Sequence, residues 1–330
     1  MTVVSDPVEA VRRAGGAPAT RLMERLEQRL EELATGHGAV LGQYAGDTIT
    51  AGGKRLRPLL LFLAAGAPPP ESEELLRAAV AVELVHSATL VHDDVLDGSP
   101  LRRGRPTVMA AGGRLAATAT GDLLFSRAFA ELVASRSVPA VRVLSRASSE
   151  LAAGELMQRA DAWRAVPVDR YLERCRLKTA VLFRAACELG ALHGGVGDGA
   201  VNGLVEALGD FGERIGLAFQ LLDDVLDVTG PPQRTGKPRG ADLLDGTVTL
   251  PLILAQERDP DLAALDPRSV TTAERAAEVC ARIGATGALE RCRTRALDLV
   301  AAAKTALPRL GGRQQAALEL IADGVVERYS

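Results

Sequence analysis

Asp93-Asp94-Val95-Leu96-Asp97 recurs unchanged as Asp223-Asp224-Val225-Leu226-Asp227. At about 100° per residue, the first and last aspartates of each copy differ by about 40° around a helix axis. Each copy therefore sets two carboxylates on one face, one turn apart. His86, seven residues before Asp93, falls on nearly the same stripe. Carboxylates at a helix C-terminus oppose the macrodipole, so a cation is expected to compensate them. Oxygen donors without cysteine partners suit a hard ion such as Mg²⁺, which keeps several waters and takes one or two carboxylates plus phosphate oxygens. The duplication thus points to a cluster of Mg²⁺ ions completed by a phosphorylated substrate. A lone motif of this kind is more simply a solvated helix end; two identical copies, each behind an apolar helical stripe, are not.

Basic residues stand nearby. Gly52-Gly53-Lys54-Arg55-Leu56-Arg57-Pro58 opens a helix, where backbone N–H groups favour anions, and Lys54 and Arg57 share a face. The run lacks the P-loop pattern. Arg102-Arg103-Gly104-Arg105-Pro106-Thr107 follows the first aspartate motif, and arginine offers bidentate contacts to phosphate. Of 39 basic residues only four are lysines: Lys54, Lys178, Lys237 and Lys304. Three of them fall beside candidate phosphate sites: Lys54, Lys178-Thr179 in mid-helix, and Lys237 in the loop after the second motif. Against so strong an arginine bias, these positions read as compact point charges retained for a purpose.

The elements that must position these groups are helical. Aromatics are 3% of the 330 residues, alternating patterns are nearly absent, and alanine, leucine, arginine and glutamate dominate. The pattern predicts helices over 19–34, 38–49, 55–66, 71–97, 114–135, 138–161, 168–193, 198–228, 249–258, 271–283, 286–304 and 312–328, broken by Gly/Pro runs. The fold class is all-α: a loose tail over residues 1–18, then a single domain over 19–330.

Composition excludes several classes. With 47% apolar and 25% charged residues the chain is globular. A net charge of −3 gives no bulk attraction to nucleic acid. Cys175, Cys187, Cys280 and Cys292 are far apart, so reduced thiols in a cytoplasmic protein are expected. The N-terminus has no signal-peptide pattern, and the longest near-continuous apolar run, 59–67, is too short to span a membrane.

Taken together, GGKRLRP, ELVHSATLVHDDVLD, RRGRPT, Gly121-Asp122, GELMQ, RLKTA, FQLLDDVLD and GKPRGADLLDG, in this order from Gly52 to Ile253, resemble the trans-isoprenyl diphosphate synthases, or polyprenyl synthetases. The resemblance implies a bundle of long helices around a deep central cavity, a homodimer, and three Mg²⁺ ions per site. It implies head-to-tail condensation of isopentenyl diphosphate with an allylic diphosphate. By the same resemblance, Asp93, Asp97 and Asp223 are metal ligands, and Asp94, Asp224 and Asp227 support them, directly or through water. Arg102, Lys178, Thr179, Gln220 and Lys237 form the allylic diphosphate site; Lys54, Arg57, His86 and Arg103 form the isopentenyl diphosphate site.

There are departures. Thr247 stands where the family often has lysine, so weaker allylic binding is expected; Met109 stands where Asn or His is common; Arg328 matches only a loose C-terminal phosphate contact. In the family the residues four and five before the first motif, here Thr89 and Ala88, often set the cavity floor. Ala88 cannot block a growing chain, so the product is expected to exceed fifteen carbons, with a deeper floor at Leu124, Phe125 or Phe129. A class I terpene cyclase would carry a different second motif. A non-catalytic subunit of a heteromeric synthase would usually lose aspartates, and all six are present. A metal phosphohydrolase built on His86 and His92-Asp93 lacks a second histidine–aspartate set.

Overall fold

The computed structural model describes residues 14–35, 39–50, 52–66, 69, 71–102, 104–194, 201–230 and 238–327. The elements run α1 (Gly16–Thr35), α2 (Ala39–Thr50), α3 (Leu56–Ala64), α4 (Glu73–Asp97), β1 (Leu101–Arg102), β2 (Arg105–Pro106), α5 (Val108–Ala134), α6 (Val138–Ala160), α7 (Val168–Cys175), a π-helical turn (Arg176–Ala180), α8 (Val181–His193), α9 (Val201–Thr229), α10 (Ala241–Leu244), α11 (Leu250–Gln256), α12 (Pro260–Ala263), α13 (Ala273–Ala285), α14 (Ala288–Thr305) and α15 (Gly312–Glu327). The all-α expectation holds, and the predicted long helices are all found, with ends shifted by a few residues. Residues 16–18, placed in the expected tail, are helical; residues 1–13 lie outside the described ones.

The chain divides into two compact units. The first comprises Met1–Ser148, Leu182–Gly212 and Leu307–Gly324; the second comprises Ser149–Val181, Glu213–Ala306 and Val325–Ser330.

In the first unit, α4 packs most extensively against α5, and also against α1, α2 and α3. Ser72 caps its N-terminus by accepting from the Leu75 N–H, with Glu73 and Glu74 in the favourable first turn. Gly98 closes it in the left-handed conformation (φ 62°) that glycine adopts without Cβ strain. Leu75 through Leu84 and Val85 are buried almost without interruption, the pattern of a helix apolar all round. By length and composition α4 is the one described helix long and apolar enough to cross a membrane, but most of it is packed inside the protein. Helix α5 breaks at Gly113 (φ 75°, ψ 177°), which is why the sequence pattern starts one residue later.

In the second unit, α11 packs against α7, α12, α13 and α14. The segment predicted as one helix over 168–193 is α-helical at both ends and π-helical at Arg176–Ala180. Such one-turn insertions are rare and concentrate at functional sites.

Candidate active site

In the first unit the aspartates of the first motif end α4. Asp94 is 4% exposed, and its Oδ1 accepts from both Nε (2.9 Å) and Nη2 (2.8 Å) of Arg102. Arg102 reaches back because β1 and β2 form a two-residue antiparallel hairpin turned at Gly104 (φ 75°). Thr107 ties the hairpin down, donating from Oγ1 to the Ser99 carbonyl at 2.6 Å and capping α5 through the Ala110 N–H. Asp93 is half-buried and Asp97 exposed. The first and last carboxylates are thus the solvent-facing pair, and the middle one is held inward. Arg103 lies outside the described residues.

His86 is half-buried on α4, and its carbonyl accepts from Thr89 Oγ1 at 2.8 Å. Ala88 is fully buried. His92 lies against Gly121, where a β-carbon would overlap its ring. The ring stacks on Phe125 at 5.8 Å between centroids, with Nε2 3.5 Å from Asp122 Oδ1. The Gly121-Asp122 pair is therefore the seat of His92. Leu124 is buried, and Phe125 and Phe129 half-buried.

The basic run before α3 is sorted by geometry. Lys54 is exposed. Arg55 turns inward from a left-handed backbone (φ 45°) and is buried, bonding Glu83 at 2.8 Å, Glu27 at 2.9 Å and the Ile49 carbonyl at 2.8 Å. It is a structural cation. Arg57 lies over the Phe183 ring, 4.6 Å from its centroid. Its Nε is buried without a hydrogen-bond partner, and burial lowers the guanidinium to about 10, still a cation at neutral pH. A buried donor with no acceptor fits a position kept for an anion.

In the second unit the π-turn presents Lys178 and Thr179. Lys178 Nζ donates to Glu155 Oε2 of α6 at 2.6 Å. Thr179 Oγ1 donates to Gln220 Oε1 at 2.7 Å, and Gln220 Nε2 donates to Asp224 Oδ1 at 2.7 Å. The Tyr171 hydroxyl donates to Asp224 Oδ2. Asp224 is 2% exposed, and burial, with Asp242 and Asp223 nearby, pushes its carboxyl above the usual carboxylate range. Asp223 is exposed and Asp227 half-buried, so here too the middle aspartate is the one turned inward. The Asp227 carbonyl accepts from the Gly240 N–H at 3.0 Å, and its Oδ2 lies 3.4 Å from the Asp242 nitrogen.

The segment holding Thr247 is fastened by its backbone. Its N–H bonds the Asp242 carbonyl at 2.8 Å, and the Trp163 N–H bonds the Gly246 carbonyl at 2.7 Å. Buried Arg174 donates to the Val248 carbonyl at 2.6 Å. Met109 is half-buried at the start of α5. Lys237 and Arg328 lie outside the described residues.

Among the described residues no three His, Cys, Asp or Glu side chains form a metal cage. The donor set is instead a pair of outer carboxylates per motif. That fits a hard cation whose remaining positions are taken by water and phosphate oxygens, and does not fit a closed structural site. Glu155, Tyr171 and Asp242 carried no assigned role from sequence. Glu155 lies in the GELMQ segment, so its neighbourhood was marked; nothing in the chain pattern marks Tyr171.

The polyprenyl synthetase family model matches residues 39–282. Heptaprenyl diphosphate synthase component 2 of Geobacillus stearothermophilus is 42% identical over 270 residues, 81% of this chain and 82% of that protein. Geranylgeranyl diphosphate synthase of Methanosarcina mazei is 38% identical over 287 residues, 85% of this chain and 87% of that one. The crystal structure of a polyprenyl synthase from Caulobacter crescentus, complexed with calcium and isoprenyl diphosphate, superposes with a TM-score of 0.86 at 37% identity, covering 98% of each chain.

Proposed function

Since the chain belongs to the polyprenyl synthetase family, we propose that it is a prenyltransferase that condenses isopentenyl diphosphate head-to-tail with an allylic diphosphate. The product is an all-trans polyprenyl diphosphate longer than fifteen carbons. The observation that carries the reading is the intact pair of aspartate motifs, each with its middle carboxyl buried and bonded and its outer carboxyls toward solvent.

Asp93, Asp97 and Asp223 would hold Mg²⁺, in a set of three ions, and Asp94, Asp224 and Asp227 support them. When bound, the ions would neutralise charge building on the departing diphosphate. Arg102, Lys178, Thr179, Gln220 and Lys237 bind and orient the allylic diphosphate, adding fixed cations where negative charge develops. Its C–O bond breaks, leaving an allylic cation and inorganic diphosphate. The double bond of isopentenyl diphosphate, held by Lys54, Arg57, His86 and Arg103, attacks the cation. A new C–C bond forms, and a proton passes to the departed diphosphate. No enzyme nucleophile is needed.

Relatives named for heptaprenyl and geranylgeranyl products support a product beyond fifteen carbons. A homodimer belongs to the proposal: α5 leaves Leu115 and Val133 85% and 63% exposed, apolar side chains that a second copy would cover. The four described cysteines are unpaired and buried, which suits a reducing, cytoplasmic setting. A second reading rests on the relative called component 2: this chain would be the catalytic half of a two-subunit enzyme.

The test is incubation of the purified chain with Mg²⁺, labelled isopentenyl diphosphate and a panel of allylic diphosphates, followed by sizing of the dephosphorylated products. A ladder ending at one linear prenol is expected. Cyclic hydrocarbon made without isopentenyl diphosphate would replace the proposal with a terpene cyclase. Product formed only with an added second subunit would establish the two-subunit reading.

A further inference from the structure

Tyr171 is the largest fully buried side chain of the second unit, with no exposed surface. A buried phenol needs an acceptor for its O–H. It finds Asp224 Oδ2. The other oxygen of that carboxyl is taken by Gln220 Nε2 at 2.7 Å, and Gln220 Oε1 in turn accepts from Thr179 at 2.7 Å. One chain of hydrogen bonds thus runs Tyr171–Asp224–Gln220–Thr179, joining α7, α9 and the π-turn. Both ends are buried, Tyr171 fully and Thr179 nearly so, whereas Asp223, adjacent to Asp224, is exposed. Gln220, one turn before Asp224, has its amide orientation set by these bonds, with one amide hydrogen committed to Asp224.

We infer that Tyr171 is a positioning residue: by holding Asp224 it locks the second aspartate motif to the turn carrying Lys178 and Thr179, so that both present one preformed surface to a metal-complexed diphosphate. The inference rests on the proposed function, which supplies the diphosphate, and adds a residue that no motif marks. Without the hydroxyl, Asp224 Oδ2 would be a buried acceptor lacking its donor. The carboxyl would then turn to find another partner, and Gln220 and Thr179 would turn with it.

Tyr171→Phe removes one oxygen atom and keeps the ring, so packing is conserved. The probe is Mg²⁺ with inorganic diphosphate, titrated by calorimetry into wild type and variant, alongside steady-state kinetics. The expected result is a Kd for magnesium diphosphate and a KM for the allylic substrate each raised about tenfold, from the loss of one hydrogen bond to a carboxylate. The KM for isopentenyl diphosphate should stay within about twofold, since the bond lost serves only the allylic diphosphate site.

Gln220→Met removes the other bond to Asp224 and serves as second variant should Tyr171→Phe fail to fold. It is expected to raise the same Kd. In its background, Tyr171→Phe should have a smaller effect than alone, because both act through one carboxyl. A lower Tm with unchanged Kd and KM would make Tyr171 a packing residue and overturn the inference, as would fully additive effects on Kd. If wild type elongates prenyl chains but Tyr171→Phe binds diphosphate as tightly, the inference alone fails. If wild type neither elongates nor binds magnesium diphosphate, the proposed function fails and takes the inference with it.

Discussion

A β-carbon at Gly154 would lie 2.7 Å from the backbone nitrogen of Lys178 and 2.8 Å from the carbonyl carbon of Leu177. Helix α6 and the π-turn therefore meet backbone to backbone, at a distance only glycine permits. Beside that contact Glu155 receives the Lys178 ammonium at 2.6 Å. Gly154→Ala is expected to push the π-turn away, destabilising the fold by about 1–3 kcal/mol as overpacking does. It should also lower kcat/KM for the allylic substrate by about tenfold through displaced Lys178 and Thr179. Thermal melts and steady-state kinetics check both; wild-type kinetics in a folded variant would detach Gly154 from the site.

Adjacent cations in the first unit should separate cleanly. Arg55→Met strands Glu83, 5% exposed, without its buried partner, and should destabilise the protein by about 3–5 kcal/mol. Exposed Lys54→Ala should change stability by less than about 0.5 kcal/mol. It should raise the KM for isopentenyl diphosphate instead. Denaturant titration and kinetics on the two variants decide it, and a stability loss at Lys54 would reverse the assignment.

Thr247 is half-buried on a loop fastened through its own backbone to Asp242. A lysine there should reach the site without moving the loop. Thr247→Lys is therefore expected to lower the KM for the allylic diphosphate by about three- to tenfold, the worth of one added charge contact. An unchanged KM would show that the missing charge is not part of this site.

Ala88 is fully buried, so a larger side chain there must displace packed neighbours. Ala88→Phe should cost about 1–3 kcal/mol of stability and shorten the product. Chromatographic sizing of the prenols checks the second effect. A destabilised variant making the parental product would mean that Ala88 serves packing alone.

Much was legible along the chain because it depends on local periodicity. The twelve predicted helices follow from runs of helix formers broken by Gly and Pro, and the register of Asp93 with Asp97 follows from 3.6 residues per turn. The same register places Asp94 and Asp224 about 100° from Asp93 and Asp223 and about 60° from Asp97 and Asp227, which is where the structure buries them. The π-turn was not legible. RLKTA has an ordinary helical pattern, and the extra residue in the turn is a matter of which carbonyl each N–H finds.

Residue types and spacing alone determined the all-α class, the duplicated carboxylate pairs and the basic groups near them, because helical periodicity and charge are properties of the local chain. Which of those groups are buried and paired and which face solvent was decided only by tertiary structure. Lys54, Arg55 and Arg57 are equivalent cations in sequence; folding sends Arg55 to buried Glu83 and exposed Glu27, sets Arg57 over Phe183 and leaves Lys54 exposed. Likewise, nothing in sequence joins Tyr171 to Asp224, 53 residues away. Burial makes that pairing obligatory, since a carboxyl removed from water must find donors wherever the fold supplies them.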